Sequence, residues 1–176
     1  MDSDELSEQM RARVAENMER AFFDAVGTDI SNNSFDSSFS LLEEIKERIC
    51  GLVPTRRDIH DDLDEHVDVD FYRQMQSNGA LDIKMIQAIM GYVIEKIKAF
   101  GSLEDEPWNE VWKTQILVRI GRGEPLSTLL PSFFREAMHR IDKIEDEIAA
   151  FRGSDIYKYI TERRNENKAS AEDAKN

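Results

Sequence analysis

Apolar residues recur every three or four positions along almost the whole chain, which is the period of a helix rather than the two-residue period of a strand. Leu6, Met10, Val14, Met18 and Phe22 stand at steps of four. They predict a first helix over roughly residues 3 to 27, ending near Gly27 and charged on its other face. After the polar break Asn32, Asn33 and Ser34, where Ser34 is placed to cap, Phe35, Phe39, Leu42, Ile45, Ile49 and Leu52 predict a second helix that stops at Gly51 and Pro54. Ile59, Leu63 and Val67 give a third, continued by a short segment through Val69, Phe71, Tyr72 and Met75 to the Asn78-Gly79 pair.

Asp82 is placed to cap a fourth helix, whose broad apolar face (Ile83, Ile86, Ile89, Met90, Val93, Ile94, Ile97, Phe100) makes it the expected centre of the fold. A fifth starts near Pro107 behind Glu104, Asp105 and Glu106, with Trp108, Trp112, Ile116 and Ile120 on one face. The clearest period follows the turn from Gly121 to Pro125, where Leu130, Phe134, Ala137, Ile141, Ile144, Ile148 and Phe151 alternate steps of four and three. Gly153 breaks that helix and Ile156, Tyr157 and Ile160 suggest one more. The expected fold is all-α, a compact single-domain bundle of about six to seven helices. A flexible acidic terminus is assigned to 1–8, the helical domain to 9–164, and a disordered polar tail to 165–176.

Charge narrows the functional classes. The chain has 23 Lys and Arg against 36 Asp and Glu, a net charge of -13, which repels nucleic-acid phosphates and anionic lipid alike. No apolar run approaches the roughly 20 residues needed to cross a bilayer, and the first residues are acidic where a signal peptide is basic, so a cytoplasmic location is expected. The single cysteine, Cys50, sits among Ile49, Gly51 and Leu52 and reads as a small apolar residue rather than a nucleophile.

Two blocks carry a family resemblance. The stretch Leu42-Glu43-Glu44-Ile45-Lys46-Glu47-Arg48-Ile49, and Val67-Asp68-Val69-Asp70 followed by Gln74 and Asn78-Gly79-Ala80-Leu81-Asp82-Ile83, resemble the T-complex protein 11 family, with the match best over about 13–100. Ala99 to Glu104 departs from the family pattern, which marks a short or divergent member. The resemblance implies a helical, non-enzymatic protein, linked in the family to cyclic-AMP-dependent kinase signalling and, in animals, to sperm flagella. It also implies a location on the cytoskeleton or a flagellum, and it brings no catalytic residues.

Chemistry-bearing clusters are few. Between Asp58 and Asp70 lie seven carboxylates with His60 and His66 and no Lys or Arg. His60 with Asp64, and Asp62 with His66, share helix faces as two ligands of one metal must, yet a solvated face is the first reading, a dock for a basic protein the second and a metal site the last. Trp108 and Trp112, four apart, make either a core wedge or an interface anchor. Gly121-Arg122-Gly123 is a turn without the spacing of a phosphate loop.

These observations assign no catalytic, cofactor-binding or metal-binding residue. The expected function is a protein-binding adaptor, or a structural subunit of a larger assembly, with Trp108, Trp112, Phe134, Ile141, Ile144 and Ile148 as the partner-binding surface. Its partners are expected to be proteins, with self-association left open, and neither nucleic acid nor a membrane is expected. The alternative is a regulatory domain holding a small ligand such as a nucleotide, for which Arg56 and Arg57 are the available phosphate contacts.

Overall fold

The helical period becomes eight α-helices in the computed structural model, which describes residues 2–174. They are α1 (Ser3–Ser31), α2 (Asp36–Leu52), α3 (Arg57–His66), α4 (Val69–Ser77), α5 (Ile83–Phe100), α6 (Glu106–Gly121), α7 (Leu126–Arg152) and α8 (Asp155–Asp173), with a 3-10 turn at Leu103–Asp105 before α6. The expected all-α bundle is present, and the short segment after the third helix forms a helix of its own, α4.

Helix ends follow local chemistry. Asp68 accepts from the Phe71 N–H at 3.0 Å and Asp82 from the Met85 N–H at 2.9 Å, so both carboxylates cap, Asp82 as the sequence indicates. Gly79 closes α4 in the left-handed conformation (φ 66°), with Ala80 N–H returning to Met75 C=O at 2.8 Å.

The first helix does not stop at Gly27. It runs to Ser31 and ends where Asn33 takes φ 60° and Ser34 N–H reaches back to Asp29 C=O at 2.8 Å. Ser34 is thereby used to finish α1 rather than to cap α2, whose N-cap is Phe35 without a side-chain bond. Gly27 is instead a packing residue, because a Cβ there would come 2.6 Å from the Ser127 carbonyl oxygen of α7.

The central helix is α7, not the fourth helix of the sequence reading. It packs on α1, α2, α5 and α6, because Leu129, Leu130, Phe133, Phe134, Ala137, Met138, Ile141 and Ile144 spread its buried surface around more than one face. The broad apolar face of α5 is buried through Ile86, Met90, Val93, Ile94 and Ile97 on α7 and α6. Ion pairs tie the outside of these contacts: Arg48 of α2 meets Asp142 at 2.5 Å and Glu145 at 2.8 Å on α7, and Lys113 of α6 meets Glu95 of α5 at 2.6 Å.

The two ends of the chain differ from expectation. The segment 1–8 belongs to α1 from Ser3 onward, Met1 lying outside the described residues. Where a disordered tail is expected from Asn165, α8 continues to Asp173, sustained by good helix formers such as Glu166, Lys168, Ala169 and Ala171. Lys175 and Asn176 lie outside the described residues.

Candidate protein-docking surfaces

Most of the residues that the sequence nominates for partner binding are interior. Trp112, Phe134, Ile141 and Ile144 are buried, and Ile148 is half-buried against the same core. A heptad seam shows only that one helix face wants an apolar neighbour, and here α1, α2, α5 and α6 supply it from the same chain. The seam of α7 is therefore core rather than docking face.

Trp108 alone keeps a large exposure, 41%, and its ring has a neighbour of its own. The Arg140 guanidinium, 3% exposed, lies 3.6 Å from the Trp108 ring centroid and 4.5 Å from that of Trp112. It donates to Asn109 Oδ1 at 3.0 Å, to Glu136 at 2.5 Å and to the Trp108 carbonyl at 3.2 Å. Burial lowers its pKa, against the charge of Glu136, which raises it. The tryptophan pair thus forms a wedge around a buried cation.

The acidic segment from Asp58 to Asp70 is divided by the structure. Asp62 pairs with Lys96 at 2.5 Å and accepts from the Tyr92 hydroxyl at 2.7 Å. The ring of His66 stacks on Tyr92 with centroids 4.6 Å apart. His60 Nε2–H donates to the carbonyls of Cys50 and Val53 at the end of α2, and His66 Nδ1–H donates to the Asp62 carbonyl. Both histidines thus serve local structure, and among the described residues no three His, Cys, Asp or Glu side chains are placed to hold one metal ion. Arg56 is paired with Asp58 at 2.7 Å, so one of the two phosphate candidates is engaged by a carboxylate.

Asp64, Asp68 and Asp70 of the segment line an open cleft of about 480 Å³ between α2, α3 and α4. Glu43, Lys46, Glu47 and Cys50 come from one side of α2, Asp64 from α3, and Asp68, Val69 and Asp70 from the start of α4. The spacing 43, 46, 47, 50 is that of one helix face, which is why these four share a wall. Lys46, the one cation on the lining, is held at 3.0 Å by the Val67 carbonyl and at 2.8 Å by Asp64. Arg73 neutralises Glu43 from outside at 2.8 Å. Asp70 is 95% exposed by its side chain, with Arg73 no nearer than 3.9 Å. Burial pushes the Cys50 thiol up, with Asp64 adding to the effect, so the floor of the cleft carries a neutral thiol rather than a nucleophile. The cleft is negative at its rim and apolar below.

The apolar stripe of the first helix forms a second, uncovered surface. Residues 3–18 of α1 are exposed on every side, and Leu6, Met10, Val14, Met18 and Phe22 remain uncovered. The signal was available: a strict step of four drifts by roughly 40° per step around a helix, so such a stripe leaves a flat core face within a few turns. Only Phe23, Val26 and Ile30 of α1 reach the interior. At the other end of the chain α8 buries no residue and exposes Ile156, Tyr157, Tyr159 and Ile160. No helix among the described residues is long and apolar enough to cross a membrane.

Comparison with known proteins adds one positive finding. Residues 2–99, more than half of the chain, match the family model for T-complex protein 11, a range that holds α1 to α4, nearly all of α5 and the whole lining of the acidic cleft. No solved structure matches the chain.

Proposed function

Because the chain belongs to the T-complex protein 11 family, we propose that it is a non-enzymatic protein-binding adaptor, or structural subunit of a larger assembly, that holds a basic segment of its partner in the acidic cleft between α2, α3 and α4. The observation that carries this reading is the composition of that cleft: five carboxylates line it beside one lysine, and that lysine is engaged by Asp64 and a backbone carbonyl. Both sequence blocks that resemble the family contribute to its walls.

The physics favours an extended or helical peptide bearing Lys or Arg. Carboxylates gathered on the rim of a concave surface raise the local concentration of cations and speed encounter, while the Val69 and Cys50 floor gives the aliphatic stem of a long basic side chain somewhere to lie. The link to cyclic-AMP-dependent kinase signalling and flagella that the resemblance implies is compatible with such a holding role. The adaptor would then act by positioning a partner, with no bond made or broken.

The test is co-purification of tagged chain from its native cell at low and high salt, beside a Glu47→Lys/Asp70→Lys variant checked for unchanged helical circular dichroism. A partner retained by the parent chain at low salt and lost from the variant supports the reading. A set of partners indifferent to both salt and charge reversal overturns it.

A further inference from the structure

The protein exposes more surface than a compact chain of its size. Its accessible area is 11744 Å² at 20.4 kDa, where a folded monomer of that mass is expected to expose about 8,800 Å². The excess is several times the roughly 800 Å² that each partner contributes to a standard protein interface. It comes from the two ends of the chain, the N-terminal half of α1 and the whole of α8.

Those two helices leave the bundle at the same end. α1 runs antiparallel to α7, since Gly27 lies beside Ser127 and Pro131 while Glu19 meets Arg135 at 3.3 Å and also His139. Going back from Glu19 toward Ser3 therefore follows α7 toward its end at Arg152, and α8 starts there after Gly153 and Ser154.

Their faces are complementary in order as well as in kind. At the start of α1 the N-cap Asp2 stands one step of four before Leu6, with Glu5 flanking that face, and the apolar Leu6, Met10 and Val14 follow. Along α8 the apolar Ile156, Tyr159 and Ile160 come first, and Arg163 and Arg164 follow. Ile156, Tyr159, Ile160 and Arg163 stand at i, i+3, i+4 and i+7 and so share one face. Laid antiparallel, α1 and α8 bring acid against arginine and Leu6 and Met10 against Ile160 and Ile156. Within one chain they do not cover each other, for Met10 is 63% and Ile156 66% exposed.

We propose that two copies of this chain pair reciprocally, the N-terminal half of α1 in each lying antiparallel on α8 of the other. The arrangement is isologous, so both contacts form together and the assembly closes as a dimer. Neither helix lines the acidic cleft, so the dimer presents two clefts and stands or falls separately from the adaptor reading.

Sedimentation velocity of the full chain at tens of micromolar and low salt tests it. The parent chain is expected as a dimer. Asp2→Lys/Glu5→Lys and Arg163→Glu/Arg164→Glu each change only exposed positions and are each expected to be monomeric, since like charges then face each other. An equimolar mixture of the two variants is expected to recover the dimer, because both of its contacts regain opposite charges. A monomeric parent, a dimer unaffected by either pair of changes, or a mixture that stays monomeric overturns the proposal.

Discussion

Gly27 of α1 and Ser127 of α7 approach so closely that a Cβ on Gly27 would stand 2.6 Å from the Ser127 carbonyl oxygen, inside van der Waals contact. The same carbonyl lies four residues before Pro131, which has no N–H to donate to it. A glycine in one helix and a proline in the other thus set the depth to which α1 settles on the central helix.

Gly27→Ala is expected to destabilise the protein. Alanine gains up to about 1 kcal/mol over glycine in a helix interior, but the atom it meets is backbone and cannot rotate away, and displacing packed helices costs about 1–3 kcal/mol. The clash wins. Urea unfolding should show a lower midpoint for Gly27→Ala, and a midpoint equal to or above that of the parent would show that α1 can lift without cost.

Arg140→Ala should be among the most damaging single changes outside the aliphatic core. It empties the space between Trp108 and Trp112 and leaves Glu136 and Asn109 without their shared donor. Losing the hydrogen bonds of a charged group typically costs about 1.5–3 kcal/mol, with Glu136 exposed enough to be solvated once its partner is gone. Near-ultraviolet circular dichroism, which reports how rigidly the two indoles are held, should weaken together with the thermal midpoint. A variant that keeps both signals would mean the indoles pack without the cation.

The Asp62 cluster predicts an acid limit to stability. Lys96 first, and the Tyr92 hydroxyl second, hold the Asp62 carboxyl below its ordinary range, against partial desolvation. In the unfolded chain an aspartate titrates near about 3.9, so below that value the unfolded state binds the proton more readily than the folded one. The stabilisation is complete above the unfolded pKa and is lost as pH falls through the depressed folded value. Thermal midpoints measured from about pH 6 down to about pH 2 should fall less steeply for Asp62→Asn than for the parent chain. Parallel curves would show that α3 is not held to α5 by this carboxylate.

The sequence made the periodic parts of this fold legible and left its depth hidden. Asp68, Asp82 and Gly79 could be read because each acts on backbone a few residues away, and the seam of α7 because steps of three and four leave no other element. Gly27 could not, since a glycine that admits a neighbouring helix looks the same in sequence as one that ends its own. The acidic cleft was half visible: the carboxylate density around Asp64 to Asp70 is plain, but the wall of Glu43, Lys46, Glu47 and Cys50 comes from the preceding helix α2, and only folding sets it opposite. The nominated surface on Trp112, Phe134, Ile141 and Ile144 failed for a related reason, because apolar periodicity measures appetite for burial and says nothing of whose side chains satisfy it.

That difference between buried and bare stripes yields the sharpest test of the architecture. Ile141 and Met10 both stand on apolar stripes of long helices, and an aspartate at either position looks alike on a helical wheel. Ile141 is fully buried where α7 meets its neighbours. Placing a carboxylate there strands an unpaired charge in the core, and the protein should unfold or lose more than about 4 kcal/mol of stability. Met10 is largely exposed on the projecting half of α1, and Met10→Asp should change the stability of the isolated chain by no more than about 0.5 kcal/mol, as surface substitutions do. Urea unfolding measured at dilution, where self-association is absent, separates the two. Equal and large losses would mean that the N-terminal half of α1 folds back onto the bundle, and equal and small ones would mean that α7 is not its centre.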